Sequence, residues 1–85
     1  MIDEEIRKDS DYGVIKNNLK DLMDEKEITV YALSKSSNTK YEIVKAYYED
    51  ELYFYSKFIL AKFCYYLDCD ISEIIIYEKS ETFVK

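Results

Sequence analysis

The segment from residue 38 to residue 51, NTKYEIVKAYYEDE, carries side chains suited to recognising another molecule. Two lysines can donate hydrogen bonds, a carboxylate can accept them, and a tyrosine ring offers a flat apolar face. These residues are Lys40, Lys45, Glu42 and Tyr41. Their spacing places them on the outer side of an amphipathic helix. The segment then ends in three consecutive acids, Glu49–Glu51, which repel an anionic ligand.

Catalytic chemistry has little support in the residues present. The chain contains no histidine, one glycine and two cysteines, Cys64 and Cys69. Two thiols alone do not supply the ligands of a zinc site, and a phosphate-cradling loop needs several glycines. We therefore expect no enzyme, no metal and no cofactor. The two cysteines are expected to be buried structural residues, since a disulfide is disfavoured in a reducing compartment.

Composition indicates one small helical domain. The chain has 85 residues, of which 48% are hydrophobic, enough for a single modest core. Because there is one glycine and no proline, turn-rich β folds are disfavoured and an all-α fold is expected. Ten tyrosines and four phenylalanines exceed what so small a core needs, so we expect some at the surface or at an interface.

The net charge of −6 is unevenly distributed along the chain. Residues 14–48 contain six lysines and five acids, whereas residues 49–85 contain four lysines and eight acids. Only the middle segment is not acidic, so a general basic coat for nucleic acid is absent. No apolar run of about 18 residues and no signal-peptide pattern occur, which favours a cytoplasmic protein without a membrane span.

The apolar periodicity predicts five short helices. They are expected at about 14–26, 30–36, 39–48, 56–67 and from residue 70 onward. Residues 1–13 are expected to form an acidic arm, and residues 78–85 a tail or a short strand. The helical stripes predict the following inward residues: Ile15, Leu19, Leu22, Met23, Ala32, Leu33, Ile43, Val44, Tyr47, Phe58, Ile59, Leu60, Phe63, Cys64, Leu67, Ile71, Ile74 and Ile75.

Helix starts and stops are indicated by local capping chemistry. Thr29 and Ser56 are expected N-caps, each contributing about 1 kcal/mol. Two capping boxes are predicted, one from Thr39 with Glu42 and one from Asp70 with Glu73. Asn38 is expected to adopt a left-handed turn between the second and third helices.

Three stretches resemble the phage-repressor, Cro-like (XRE-type) helix-turn-helix family. They are IKNNLKDLMDEKEIT (15–29), TVYALSKSSNTKYEIVKAYYE (29–49) and LAKFCYYLDCDISEIIIY (60–77). The second contains the two-helix motif, with Leu33 and small Ser34 before the turn and Val44 as a buried position after it. The resemblance covers about residues 14–77 and implies a lambda-repressor-like domain.

The resemblance also implies a bacterial-type transcriptional regulator that binds double-stranded DNA sequence-specifically. The helix at about 39–48 would lie in the major groove, and a homodimer would bind paired half-sites. Lys45 can donate to guanine, Glu42 can accept from cytosine N4, and Tyr41 can pack on a thymine methyl group. By position, the expected DNA contacts are Thr29, Lys35, Thr39, Lys40, Tyr41, Glu42 and Lys45.

The chain also departs from the family pattern. Val30 replaces a frequent glutamine, Asn38 a frequent glycine, and Ala46 a frequent basic residue, while Glu49–Glu51 bring acids near the phosphates. An alternative therefore stays open, in which the helix-turn-helix domain binds a protein, as an antagonist or partner of another regulator. Surplus tyrosines are candidates for a dimer contact; they are Tyr53, Tyr55, Tyr65 and Tyr66.

Overall fold

The computed structural model describes residues 12–79. Its elements, in chain order, are β1 (Val14–Asn17), α1 (Leu19–Lys26), α2 (Val30–Ser37), α3 (Tyr41–Tyr48), α4 (Lys57–Leu67), a 3-10 turn (Ile71–Glu73) and β2 (Ile75–Glu78). The predominantly helical prediction is thus confirmed. The prediction of five helices and no strand is wrong, because the described part has four α-helices and a two-stranded sheet. The predicted arm and tail lie mostly outside the described residues.

The first four residues of the first predicted helix are a strand. β1 pairs antiparallel with β2, and Val14 stands opposite Glu78 while Asn17 stands opposite Ile75. The side-chain oxygen of Asn17 accepts a hydrogen bond from the Leu19 amide at 2.8 Å, which starts α1 after the strand. Ile15, expected in the core, is 54% exposed, because no helix within residues 12–79 covers this part of the two-stranded sheet: Val14, Ile15 and Lys16 are all exposed and only Asn17 is buried.

The fifth predicted helix is a single 3-10 turn. Its start was predicted correctly, since the Asp70 amide donates to the Glu73 carboxylate at 3.0 Å. The turn stops after Glu73, and the β-branched residues that follow favour an extended chain that pairs with β1. Ile74 is fully buried as expected, whereas Ile71 is exposed.

The core lies between the four helices and the inner end of the sheet. Its buried side chains are Leu19, Leu22, Met23, Leu33, Val44, Tyr47, Phe63, Leu67 and Ile74. The rings of Tyr47 and Phe63 meet edge to face with centroids 5.2 Å apart. Besides Ile15 and Ile71, three further residues predicted to be buried are exposed, namely Ala32, Ile43 and Phe58. Each of these three lies in the first turn of its helix.

The backbone groups of the two cysteines form a hydrogen bond at the carboxyl-terminal end of α4. The Cys69 amide donates to the Cys64 carbonyl oxygen at 3.1 Å, across Asp68 in the left-handed conformation with φ 53°. This bond satisfies a carbonyl at the helix end. Both thiols are free and partly buried, and burial raises the pKa of Cys69 to about 11. The expected structural role is thus consistent with their position, although neither is fully buried.

Across residues 12–79, no helix is both long and apolar enough to span a membrane. Within the same residues, no group of three or more histidine, cysteine or acidic side chains is arranged to hold a metal ion.

Candidate nucleic-acid interface

α2 and α3 are joined by a tight turn. Thr29 caps α2, because its hydroxyl oxygen accepts from the Ala32 amide at 3.0 Å, as the sequence predicted. α2 ends where Asn38 adopts φ 52°, the predicted left-handed conformation. The Thr39 amide then donates to the Ser34 carbonyl oxygen at 3.1 Å. Two helices of eight residues each are therefore held at a fixed angle by three linking residues.

The turn is locked by two hydroxyl groups. Ser37 is 3% exposed and donates to the Leu33 carbonyl oxygen at 2.7 Å. The Thr39 hydroxyl donates to the Ser37 carbonyl oxygen at 3.2 Å. The predicted capping box of Thr39 with Glu42 is wrong, because α3 begins at Tyr41 and has no side-chain cap. The Thr39 hydroxyl is engaged within the turn, so the Glu42 carboxylate stays outside the cap.

The inner face of α3 is anchored in the core. Val44 and Tyr47 are 0% and 2% exposed. The Tyr47 carbonyl oxygen accepts from the Asn17 side-chain amide at 2.7 Å, and the Tyr47 hydroxyl accepts from the Ser56 amide at 2.9 Å. These contacts set both the rotation and the end of α3, and its other face points away from the protein.

The residues expected to contact DNA lie on this outer side. Lys40, Tyr41, Glu42 and Lys45 are all exposed; the first three lie at the start of α3 and Lys45 lies in its last turn. Thr29, the N-cap of α2, and Lys35, on α2, are exposed, and the Lys35 amino group is 5.6 Å from the centre of the Tyr31 ring. Thr39 is partly buried, so the structure places six of the seven predicted residues fully at the surface.

A sequence model of the Cro/C1-type helix-turn-helix DNA-binding domain matches residues 18–80. The chain belongs to this family. The matched range starts one residue before α1 and includes the whole helix-turn-helix, α2 and α3, together with α4 and β2. Among curated proteins, no sequence matches the chain.

An acidic loop directly follows the second helix of the helix-turn-helix. Glu49 and Glu51 are exposed, and Asp50 adopts φ 55°. The Asp50 carboxylate accepts from the Tyr55 hydroxyl at 3.2 Å, which ties the loop to the residues before α4. The pKa of Tyr55 is raised, mainly by burial of its hydroxyl and next by the negative charge of Asp50. Three negative charges therefore stand at the carboxyl end of α3, where the helix dipole is itself negative.

A polar cluster that sequence analysis missed joins α1 to the end of α3. The Tyr48 hydroxyl donates to Asp24 at 2.8 Å, and the Lys20 ammonium lies 3.3 Å from the other oxygen of the same carboxylate. The hydrogen bond from Tyr48 is the largest single cause that holds the pKa of Asp24 below its usual value, and the hydrogen bond and charge of Lys20 add to it. The Lys20–Asp24 pair has helical spacing, but its contact with Tyr48 spans 24 residues and has no local signal.

Lys62 of α4 is a second residue that sequence analysis missed. Its ammonium donates to the Thr39 hydroxyl at 3.3 Å and lies 5.0 Å from the centre of the Phe58 ring. It therefore adds a cation to the turn between α2 and α3. The turn forms a shallow depression at this point, lined by Ser34, Lys35, Asn38, Thr39 and Lys40.

Proposed function

We propose that this protein is a sequence-specific DNA-binding transcriptional regulator that places α3 in the major groove. The observation that carries the proposal is the exposed face of α3, where two lysines, a glutamate and a tyrosine project from a helix whose other face is anchored in the core. Membership of the Cro/C1-type family supports the same function. Helices of this motif contact base edges with residues near their amino-terminal end.

The proposed DNA contacts divide into base-directed and phosphate-directed groups. Tyr41, Glu42 and Lys45 are assigned to base edges, because their side chains can pack on a methyl group, accept from cytosine and donate to guanine. The residues assigned to phosphates are Thr29, Lys35, Thr39 and Lys40. The absence of the capping box supports the assignment of Glu42, since its carboxylate is not engaged at the helix start.

We also propose that the regulator acts as a homodimer on paired half-sites. Exposed aromatic rings support this, because single chains seldom leave so many rings in water. Tyr53 is 95% exposed, Phe54 89% and Tyr65 78%. Tyr55 is instead partly buried against Tyr47, with ring centroids 5.7 Å apart, so it is a weaker candidate than the other tyrosines.

The experiment that tests the function compares DNA from the protein's own promoter region with unrelated DNA of equal length, over a series of salt concentrations. We expect tighter binding to the promoter DNA and an affinity that falls steeply with salt. Equal affinity for both sequences would contradict sequence-specific regulation while keeping DNA binding.

A second candidate function is binding to another protein through the same domain. It is favoured by the acids that follow α3 and by the exposed rings beside them, Tyr53 and Phe54. It predicts no salt-dependent DNA affinity and a stable complex with a partner that offers basic and apolar side chains. Absence of any DNA binding at low salt would favour this function over the first.

A further inference from the structure

The geometry points to a phosphate-binding site at the turn between α2 and α3, in which Lys62 joins Lys35 and Lys40 around one oxyanion. This inference rests on the proposed function, because the phosphate it assigns is one of the DNA backbone. The site is new relative to the expected contacts, since Lys62 belongs to α4 and not to either helix of the motif.

Two lysines line the depression at this turn, and a third, Lys62, contacts one of its lining residues. Lys35 and Lys40 line it, together with Thr39, and the Lys62 ammonium lies 3.3 Å from the Thr39 hydroxyl. Polar groups from Ser34 and Asn38 complete the lining. Ammonium groups beside a shallow surface are what a phosphate oxygen needs, and a depression admits a phosphate that projects from a duplex.

These three lysines have no acidic partner among the described residues. Among residues 12–79, ion pairs are formed by Lys16 with Glu78 and by Lys20 with Asp24, whereas no carboxylate lies within 4.0 Å of Lys35, Lys40 or Lys62. Lys62 is only partly exposed, so water screens its charge less than that of a fully exposed lysine. An anion at the turn would supply the missing partner.

The turn also lies at the amino-terminal end of α3. Lys62 contacts Thr39, two residues before the first residue of α3. The amino-terminal end of a helix carries a partial positive charge, which disfavours a cation and favours an anion. An anion bound beside Thr39 would therefore be favoured by this end of α3 as well as by the lysines.

The competing explanation is that Lys62 only links α4 to the turn through its bond to Thr39. Lys62→Met distinguishes phosphate binding from this structural role, because methionine keeps much of the apolar stem and removes the charge. Lys62→Arg keeps the charge and changes the head group. Lys79→Met is the matched control, since it removes one exposed positive charge just after β2, away from the helix-turn-helix.

The decisive measurement is the dependence of DNA affinity on salt for the four proteins, with thermal unfolding alongside. We expect Lys62→Met to lower the slope of log affinity against log salt by about one unit, with an unchanged melting temperature and unchanged sequence preference. Lys62→Arg and Lys79→Met are expected to keep the wild-type slope. A Lys62→Met variant with the wild-type slope overturns the site, whether or not its stability falls, and leaves DNA binding by the protein intact.

A second readout keeps the site testable if the wild-type protein shows no DNA affinity. Inorganic phosphate is titrated into labelled wild-type protein, and the amide resonances of Thr39 and Lys40 are followed by NMR. Shifts that saturate in the wild type and are lost in Lys62→Met support the anion site while the proposed DNA function fails. Amides that do not shift in the wild type overturn the site as well.

Discussion

The side-chain amide of Asn17 donates to the carbonyl oxygen of Tyr47 at 2.7 Å, joining positions that are 30 residues apart. The same Asn17 side chain accepts from the Leu19 amide. Asn17 is thus the last residue of β1, and its side chain bonds the first residue of α1. The same side chain also bonds the last turn of α3. The orientation of the proposed recognition helix depends on this contact as well as on apolar packing.

Replacing Asn17 by alanine should lower the free energy of unfolding by about 2–4 kcal/mol, because two buried backbone groups lose their partners. Urea unfolding followed by circular dichroism measures this. Asn18→Ala is the matched control, since Asn18 makes no side-chain capping bond, and its effect should stay within about 0.5 kcal/mol. Equal losses in the two variants would show that the Asn17 bonds are not important for stability.

Charge reversal on α3 should remove specific DNA binding. Lys40→Glu and Lys45→Glu each exchange an exposed cation for an anion, and together they are expected to weaken binding to the promoter site by about 2–6 kcal/mol. The melting temperature should not change, because neither side chain is in the core. Lys79→Glu makes the same charge change after β2 and should have little effect. Unchanged affinity in the α3 double variant would exclude α3 as the recognition helix.

Neutralising the acidic loop should strengthen DNA binding. Glu49→Gln with Glu51→Gln removes two exposed negative charges at the end of α3, so repulsion of nearby phosphates falls. We expect a several-fold gain in affinity at low salt that disappears at high salt, where such repulsion is screened. Glu25→Gln with Asp68→Asn is the control, because neither residue lies on α2, on α3 or in the loop. A similar gain in the control would mean that only net charge matters.

The cluster of Lys20, Asp24 and Tyr48 makes a prediction about titration. Tyr48→Phe should raise the pKa of Asp24 toward its usual value, because the hydrogen bond from Tyr48 is the largest single cause of the lowered pKa, and Lys20→Met should raise it as well. Carboxyl resonances followed by NMR across pH 2 to 7 measure this directly. Since the folded pKa is lowered, the stabilisation is present above the unfolded pKa and is lost as the pH falls. An unchanged pKa of Asp24 in Tyr48→Phe would assign the shift to the ion pair.

Local signals in the sequence predicted much of the helical framework. Thr29 and Ser56 cap helices and Asn38 ends one, because each acts on backbone groups within three residues of itself. The strand at residues 14–17 was missed, because Ile15 and Leu19 have helical spacing and the strand's partner lies some sixty residues later. Periodicity does not reveal a pairing of that separation.

The exposed residues of the candidate site could be predicted from helical periodicity, but the contacts made by Thr39 could not. The exposure of Lys40, Tyr41 and Lys45 follows from the stripe that buries Val44 and Tyr47. The capping box of Thr39 failed because competing groups on Ser37 and Lys62 engage its hydroxyl, and one of them comes from another helix. The DNA contacts themselves stay predictions.

The register of the sheet has a consequence for synthesis of the chain. Val14 pairs opposite Glu78, so the two strands lie at opposite ends of the domain's sequence. β1 is therefore synthesised before the helices, and its partner strand β2 is synthesised after them. The residues of α1 to α4 can approach one another in the meantime, but the N–H and C=O groups of β1 have no strand partner. A nascent or truncated chain that stops before residue 75 therefore exposes an unpaired strand, the feature through which incomplete chains associate with one another.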